Sequence, residues 1–255
     1  MNMIAHQVRF DLLALRRNKR ARFFTVAFPI VLLVIFAGMF GGDHTVVNGV
    51  RVKTSVFYVP AIMTMSIITT CFIALVTAVV SERSLGVLKR RRATPVPPWA
   101  LIAGRVLSCT ALSIVVLVVM LVVARAAYHV GLPGKGIPAL LVAVILGATT
   151  FAALGYALAG VMDSVETAQP AIQLGTLPLY IISGIWVPTA SLSHGLRSVS
   201  KVFPVEHLSS LLHTAYVPGS TAGHIAAGDV LVLLAWAIGA IAFAARRFSW
   251  LPAPA

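Results

Sequence analysis

The sequence predicts an all-α integral membrane protein: six transmembrane helices, an N-terminal interfacial helix, a short helix in one cytoplasmic loop and two short extracytoplasmic re-entrant helices. Three observations carry this. The 255 residues are 59% hydrophobic and 11% charged, with a mean hydropathy of +0.95, far from the usual soluble mix. Apolar windows of roughly 17 to 25 residues, the length needed to cross hydrocarbon, recur along the whole chain. Those windows lack the polar and apolar alternation that an outer-membrane barrel needs. No stretch is left for a soluble catalytic domain, so 1–255 reads as a single transmembrane domain.

Residues 1–22 are expected to lie flat on the membrane surface. Ile4, Val8, Leu12 and Leu15 repeat at helical spacing, while Arg9, Arg16 and Arg20 fall elsewhere around the helix. No small-residue cleavage site follows a short apolar core, so this segment does not read as a signal peptide. The spans follow at 23–40, 56–80, 101–124, 137–161, 168–187 and 225–245.

The net charge of +13 is spread between apolar runs rather than along one surface, which points to topology rather than nucleic acid. With a cytoplasmic N-terminus, the inner segments hold 14 of the 20 Lys and Arg, so both termini are placed inside. His44, His129, His194, His207, His213 and His224 then fall on or near the outer side. Their spacing matches no metal motif and reads as loop polarity. Cys71 and Cys109 sit inside apolar runs, far apart in sequence, and read as small buried side chains.

The densest charge lies between the second and third spans, in SERSLGVLKRRRATPVPPW, Ser81 to Trp99. Ser81 is expected to cap a surface helix over 82–94, with Glu82 in its first turn, Lys89 to Arg92 toward its end, and Thr94-Pro95 as its stop. Cations alone would suit anionic headgroups. Glu82, Gly86 and the prolines at 95, 97 and 98 exceed what a charge anchor needs.

On the outer side, Pro188 and Pro204 each precede a helix-compatible piece too short to span. Leu192, Leu196, Val199 and Val202 mark the first, and Leu208, Leu211 and Leu212 the second. Helices over 190–216 that dip into the outer leaflet are expected, covered by protein or a wet cavity.

Several chemistries find no residues. Ser183-Gly184 has no histidine partner at membrane depth, and the spans hold no metal-binding His and carboxylate cluster. In GLPGKG, His129 stands where a phosphate loop wants its first Gly and Gly136 where it wants Ser or Thr. The chain is therefore expected to have no ATPase site and no cofactor of its own. Gln169 and Gln173, at i and i+4 of the fifth span, either line a pathway or bond to neighbouring helices. Pro170, Pro178, Gly175 and Gly184 suggest that this helix can bend. Small residues repeat four apart at Ala148 and Ala152, Gly155 and Ala159, Ala235 and Gly239, and Ala240 and Ala244, allowing close helix approach.

ERSLGVLKRRRATPVPPWALIAGRVLS resembles the cytoplasmic loop of ABC exporter permeases of the daunorubicin-resistance type, a type-2 ABC transporter family. Glu82, Gly86, Lys89, Arg90, Thr94, Pro95, Gly104 and Arg105 occupy the recurring places, and Glu82, Gly86, Leu88, Lys89, Arg90, Thr94 and Pro95 are expected to carry ATPase coupling. Ser183, Gly184, Pro188, Phe203 and Pro204 match a second fingerprint, Ser-Gly-Ile…Pro followed by Phe-Pro. Val87 and Arg91 depart from a commoner Thr and Leu and make the loop more basic. The resemblance implies a permease in a bacterial cytoplasmic membrane, paired with a second permease copy and with separate ABC ATPase subunits that bind ATP and Mg. It implies that 82–94 is the coupling helix docking in the ATPase, with ATP-driven alternating access. Gln169, Gln173, Ser183 and Gly184 would then border the pathway. Pro188, Leu192, Leu196, Phe203 and Pro204 would belong to an outer gate. An amphiphilic drug or lipid-like cargo suits the apolar spans. Export of a lipid-linked glycan, or a non-transporting membrane scaffold for an ATPase, are the alternatives.

Overall fold

Helix boundaries follow prolines, glycines and caps at the ends of the apolar runs. The computed structural model describes residues 8–10, 13, 17, 19, 23–40, 42–47, 50–88, 98–186, 192–217 and 226–247. Most of the expected interfacial helix 1–22 lies outside them; the described positions among it are helical. A π turn, Phe23–Ala27, leads into α1, Phe28–Phe40. The second span is a continuous rod of α2 (Thr54–Ile68), a π turn (Thr69–Ile73) and α3 (Ala74–Ser84). Next come α4 (Pro98–Tyr128), α5 (Ile137–Ala159), α6 (Val165–Ile182), α7 (His194–Ser200), α8 (Pro204–Tyr216) and α9 (Ala227–Arg247).

Among the described residues, five helical stretches are long and apolar enough to cross a membrane: Phe23–Phe40, Thr54–Ser84, Leu101–Tyr128, Ile137–Ala159 and Ala227–Arg247. The expected span at 168–187 corresponds to α6, which is not one of the five. It begins at Val165 behind a reciprocal cap in which the Thr167 amide donates to Ser164 Oγ and the Ser164 amide donates to Thr167 Oγ1, each at 3.3 Å. Glu166, Gln169 and Gln173 dilute its apolar character.

The described residues are mostly helical, as expected for an all-α membrane protein, with one short hairpin added. Strands β1 (His44–Val47) and β2 (Val50–Lys53) pair antiparallel between the first two spans, with His44 opposite Lys53. Alternate residues of β2 are half-buried and exposed, and Val52 packs against the core. HTVVNGVRVK carries the β-branched alternation around Asn-Gly that marks a hairpin. Asn48 and Gly49 themselves are outside the described residues.

Helix α5 is the hub, packing against α3, α4, α8 and α9. In lipid, close packing rather than expulsion of water drives such association, so small residues set the approach. Gly155 lies on the second span, where a Cβ would stand 2.9 Å from a Leu75 methyl and 3.3 Å from the Cys71 carbonyl. Gly147 lies under Leu208 of α8, where a Cβ would meet Cδ1 at 2.6 Å. Ala148, Ala152 and Ala159 are fully buried, and Ala240 packs with Ala153 and Ala157. Ala235 and Gly239, by contrast, are exposed and join no interface among the described residues. Cys71 and Cys109 are buried and form no disulfide, yet the fold brings them together: Cys71 Sγ is 3.4 Å from Ser113 Oγ, and Cys109 reaches the Thr70 carbonyl at 3.9 Å.

The bundle thus has two ends. The lower end carries Glu82, Ala159 and Arg247; the upper end carries the hairpin, α7 and α8.

Candidate coupling junction and pathway

At the lower end the second span does not stop where the sequence suggests. Ser81 and Glu82 continue α3 instead of opening a new helix, because nothing interrupts the helical hydrogen bonding until Ser84. The break comes at Leu85 and Gly86. The Leu85 amide donates to the Ser81 carbonyl at 3.0 Å, and Gly86 adopts a φ of +67°, where a side chain would be strained. Val87 and Leu88 resume a helical conformation, with Leu88 buried. Lys89, Arg90, Thr94 and Pro95 lie outside the described residues.

Two side chains lock this end to its neighbours. Glu82 accepts a hydrogen bond from Arg105 on α4, forming an ion pair that is about one-fifth exposed. Arg83, only 4% exposed, donates through Nη1 to the Ala159 carbonyl at 3.0 Å, at the end of α5 where helix carbonyls lack partners. Adjacent residues therefore tie the second span to the third and to the fourth. Arg83 was missed in the sequence because its partner is a backbone carbonyl 76 positions away.

The four expected pathway residues do not converge. Gln169 donates to Thr77 Oγ1 of α3 at 3.1 Å, a bond between neighbouring helices. Gln173, one turn further, is exposed. Ser183 and Gly184 lie about 20 Å of helical rise away from Gln169 and end α6. The Ser183 amide caps the Leu179 carbonyl at 3.0 Å, and Gly184 takes a φ of +77°. Ser183 Oγ is buried and finds no partner among the described residues. Ala168, Ile172, Thr176 and Tyr180 form the buried stripe of α6, which packs mainly against α3, α7 and α8 among the described residues. The opposite side is exposed among the described residues, with Leu174 79% exposed.

The outer helices differ from each other. In α7, Leu196 and Val199 are exposed, and Leu192 just before it is half-buried. In α8, Phe203 precedes the first turn, Pro204 starts it, and nearly every residue is buried against α2, α5 and α9. Pro188 lies outside the described residues. His207 corrects the expectation of loop polarity. Its Nδ1 is 2.6 Å from Asp229 Oδ1 of α9 and its Nε2 is 2.8 Å from the Lys201 carbonyl, with Glu206 Oε2 at 3.7 Å. Burial works against the imidazolium, but the Asp229 hydrogen bond, the Lys201 carbonyl and the Glu206 charge outweigh it and raise the His207 pKa. Ligand atoms of Glu206, His207 and Asp229 lie within 4.8 Å of one another. The His207 to Asp229 distance is nonetheless that of a shared proton, shorter than the separation of about 3.3 Å between ligands around a tetrahedral metal. Trp236 Nε1 adds a bond to the Val202 carbonyl at 3.0 Å, so α9 grips both sides of the α7 to α8 turn.

Long apolar rods, a polar junction at one end and a buried short helix at the other define a multi-pass membrane protein. The chain belongs to the ABC-2 type transporter family, whose profile matches residues 6–217. It is thus the membrane, permease component of an ABC transporter, and that membership implies association with an ABC ATPase. No curated protein matches the chain.

Proposed function

We propose that the chain is the permease subunit of an ATP-driven exporter, moving an amphiphilic drug-like or lipid-like molecule across a bacterial cytoplasmic membrane. In this reading α6 completes six spans, and both termini and the lower end face the cytoplasm. A separate ATPase binds ATP and Mg and docks on the segment that follows Gly86.

The junction at Glu82 and Arg83 carries this reading. Force applied just beyond Gly86 meets a second span already fastened to α4 by Glu82 and to α5 by Arg83. A push there moves three helices together instead of bending one loop. The bare side of α6 supports a second permease copy, with cargo passing between the two. The exposed Leu196 and the buried Pro204 suit an outer gate made of a movable α7 and an anchored α8.

Reconstitution with the ABC ATPase that co-purifies provides the test. Glu82→Ala and Gly86→Pro are expected to leave membrane insertion intact and ATP hydrolysis measurable while abolishing ATP-dependent movement of a fluorescent amphiphile. Unchanged transport in both variants would remove the coupling role. ATP hydrolysis with no transport of any dye, drug or lipid by the wild type would favour the scaffold.

A further inference from the structure

Helices α4 and α9 both pack along α5 but hardly touch each other. Between them, at the lower end, opens a pocket of about 460 Å³. Ile102 and Val106 form one wall, Ala153 and Tyr156 the floor, and Ile241 and Ala244 the other wall. The space is left unfilled because the side chains offered here are small, Ala153 on α5 and Ala244 and Ala245 on α9, while α5 and α9 themselves pack together through Ala153, Ala157 and Ala240. None of its lining residues belongs to α6, so it is separate from the pathway argued above.

At this end α9 finishes in Arg246 and Arg247, directly after the lining residue Ala245. Both arginines are exposed and neither bonds to a described residue. We infer that this wedge is a binding site for an anionic phospholipid, one acyl chain lying between α4 and α9 and the phosphate held by Arg246 and Arg247. Apolar walls among membrane-spanning helices suit an acyl chain better than any soluble ligand. A basic pair beside the mouth selects a negatively charged headgroup over a zwitterionic one. The lipid would fill a gap that no described side chain fills, acting as a strut that holds α9 against the rest of the bundle. The inference requires only that the chain spans a bilayer, and it does not depend on export.

The test uses the full chain in nanodiscs containing phosphatidylglycerol or phosphatidylcholine, with retained lipid measured by native mass spectrometry. Wild type is expected to retain phosphatidylglycerol in preference. Arg246→Gln with Arg247→Gln should reduce that preference about tenfold or more, since each surface cation contributes to anionic-lipid attraction. Ala245→Trp, at an exposed position on the pocket lip, and Thr149→Phe, on a half-buried wall, should each displace the lipid altogether. Equal retention of the two lipids by wild type would overturn the assignment. So would undiminished phosphatidylglycerol in a monodisperse Ala245→Trp or Thr149→Phe protein. Efficient disulfide crosslinking between two copies of Ala244→Cys would overturn it as well, by showing that protein rather than lipid covers the wedge.

Discussion

His207 is the residue whose surroundings say most about its charge. Both ring nitrogens face oxygens, one from Asp229 and one from the Lys201 carbonyl, so the doubly protonated ring satisfies both at once. Lys201 and Arg197 also face this group, and burial raises the Glu206 pKa from its ordinary 4.5. His213 works in the opposite sense, since burial lowers its pKa to about 4. Below the ordinary histidine value of 6.5 these groups pull against each other; above it, only the His207 contribution changes. A raised folded pKa means stability that is fully present below 6.5 and lost as pH rises through the folded value. The melting temperature in detergent should therefore fall on raising pH above 6.5, and Asp229→Asn should flatten that slope. A second residue-scale prediction concerns Glu82 and Arg105. Exposed pairs contribute about 1 kcal/mol or less and broken buried ones cost about 3–5 kcal/mol. A pair with side chains 18% and 22% exposed stands between, so Glu82→Gln should cost about 2 kcal/mol in thermal unfolding. A double-mutant cycle with Arg105→Gln should show coupling, because the second change removes little more.

At the scale of elements, glycine decides how near α8 can come to α5. Gly147→Val should overpack against Leu208 and destabilise by about 1–3 kcal/mol, and Leu208→Ala should restore part of that loss by making room. Thermal unfolding of the two single variants and the double variant checks this. Much at this scale was legible: long apolar runs became helices within a few residues of the expected bounds, and the pieces starting near Leu192 and at Pro204 became α7 and α8. The hairpin was not foreseen because its strands lie in a short stretch between spans that hydropathy treats as mere spacing. Nor was the start of the loop helix. Ser81 and Glu82 look like a cap in one dimension, but a rod already propagating from Ala74 gains a hydrogen bond per residue by continuing. The metal-like grouping at His207 was hidden because Asp229 is 22 positions away on another helix.

For the whole molecule, the second copy proposed above is tested on the side of α6 that is exposed among the described residues. Leu174→Cys, at a site 79% exposed, should crosslink two copies in the membrane under mild oxidation. Because Cys71 and Cys109 are both buried, the unmodified chain should give little background. An absence of crosslinked dimer there, with efficient crosslinking from a control on α9, would place the second copy elsewhere. The candidate site was only half legible at this scale, since sequence can nominate Glu82 and Gly86 but not the α4 and α5 partners that make them a junction. One feature of the second span bears on how such an assembly moves. The π turn at Thr69–Ile73 holds one residue more than an α turn would, midway between Tyr58 and Glu82. If that slack were wound in, everything below it would turn by about 100° about the helix axis, one residue of α-helical pitch. The second span is in that sense a shaft with a built-in click: twisting it by one notch swings Glu82 off Arg105 without unfolding a single turn.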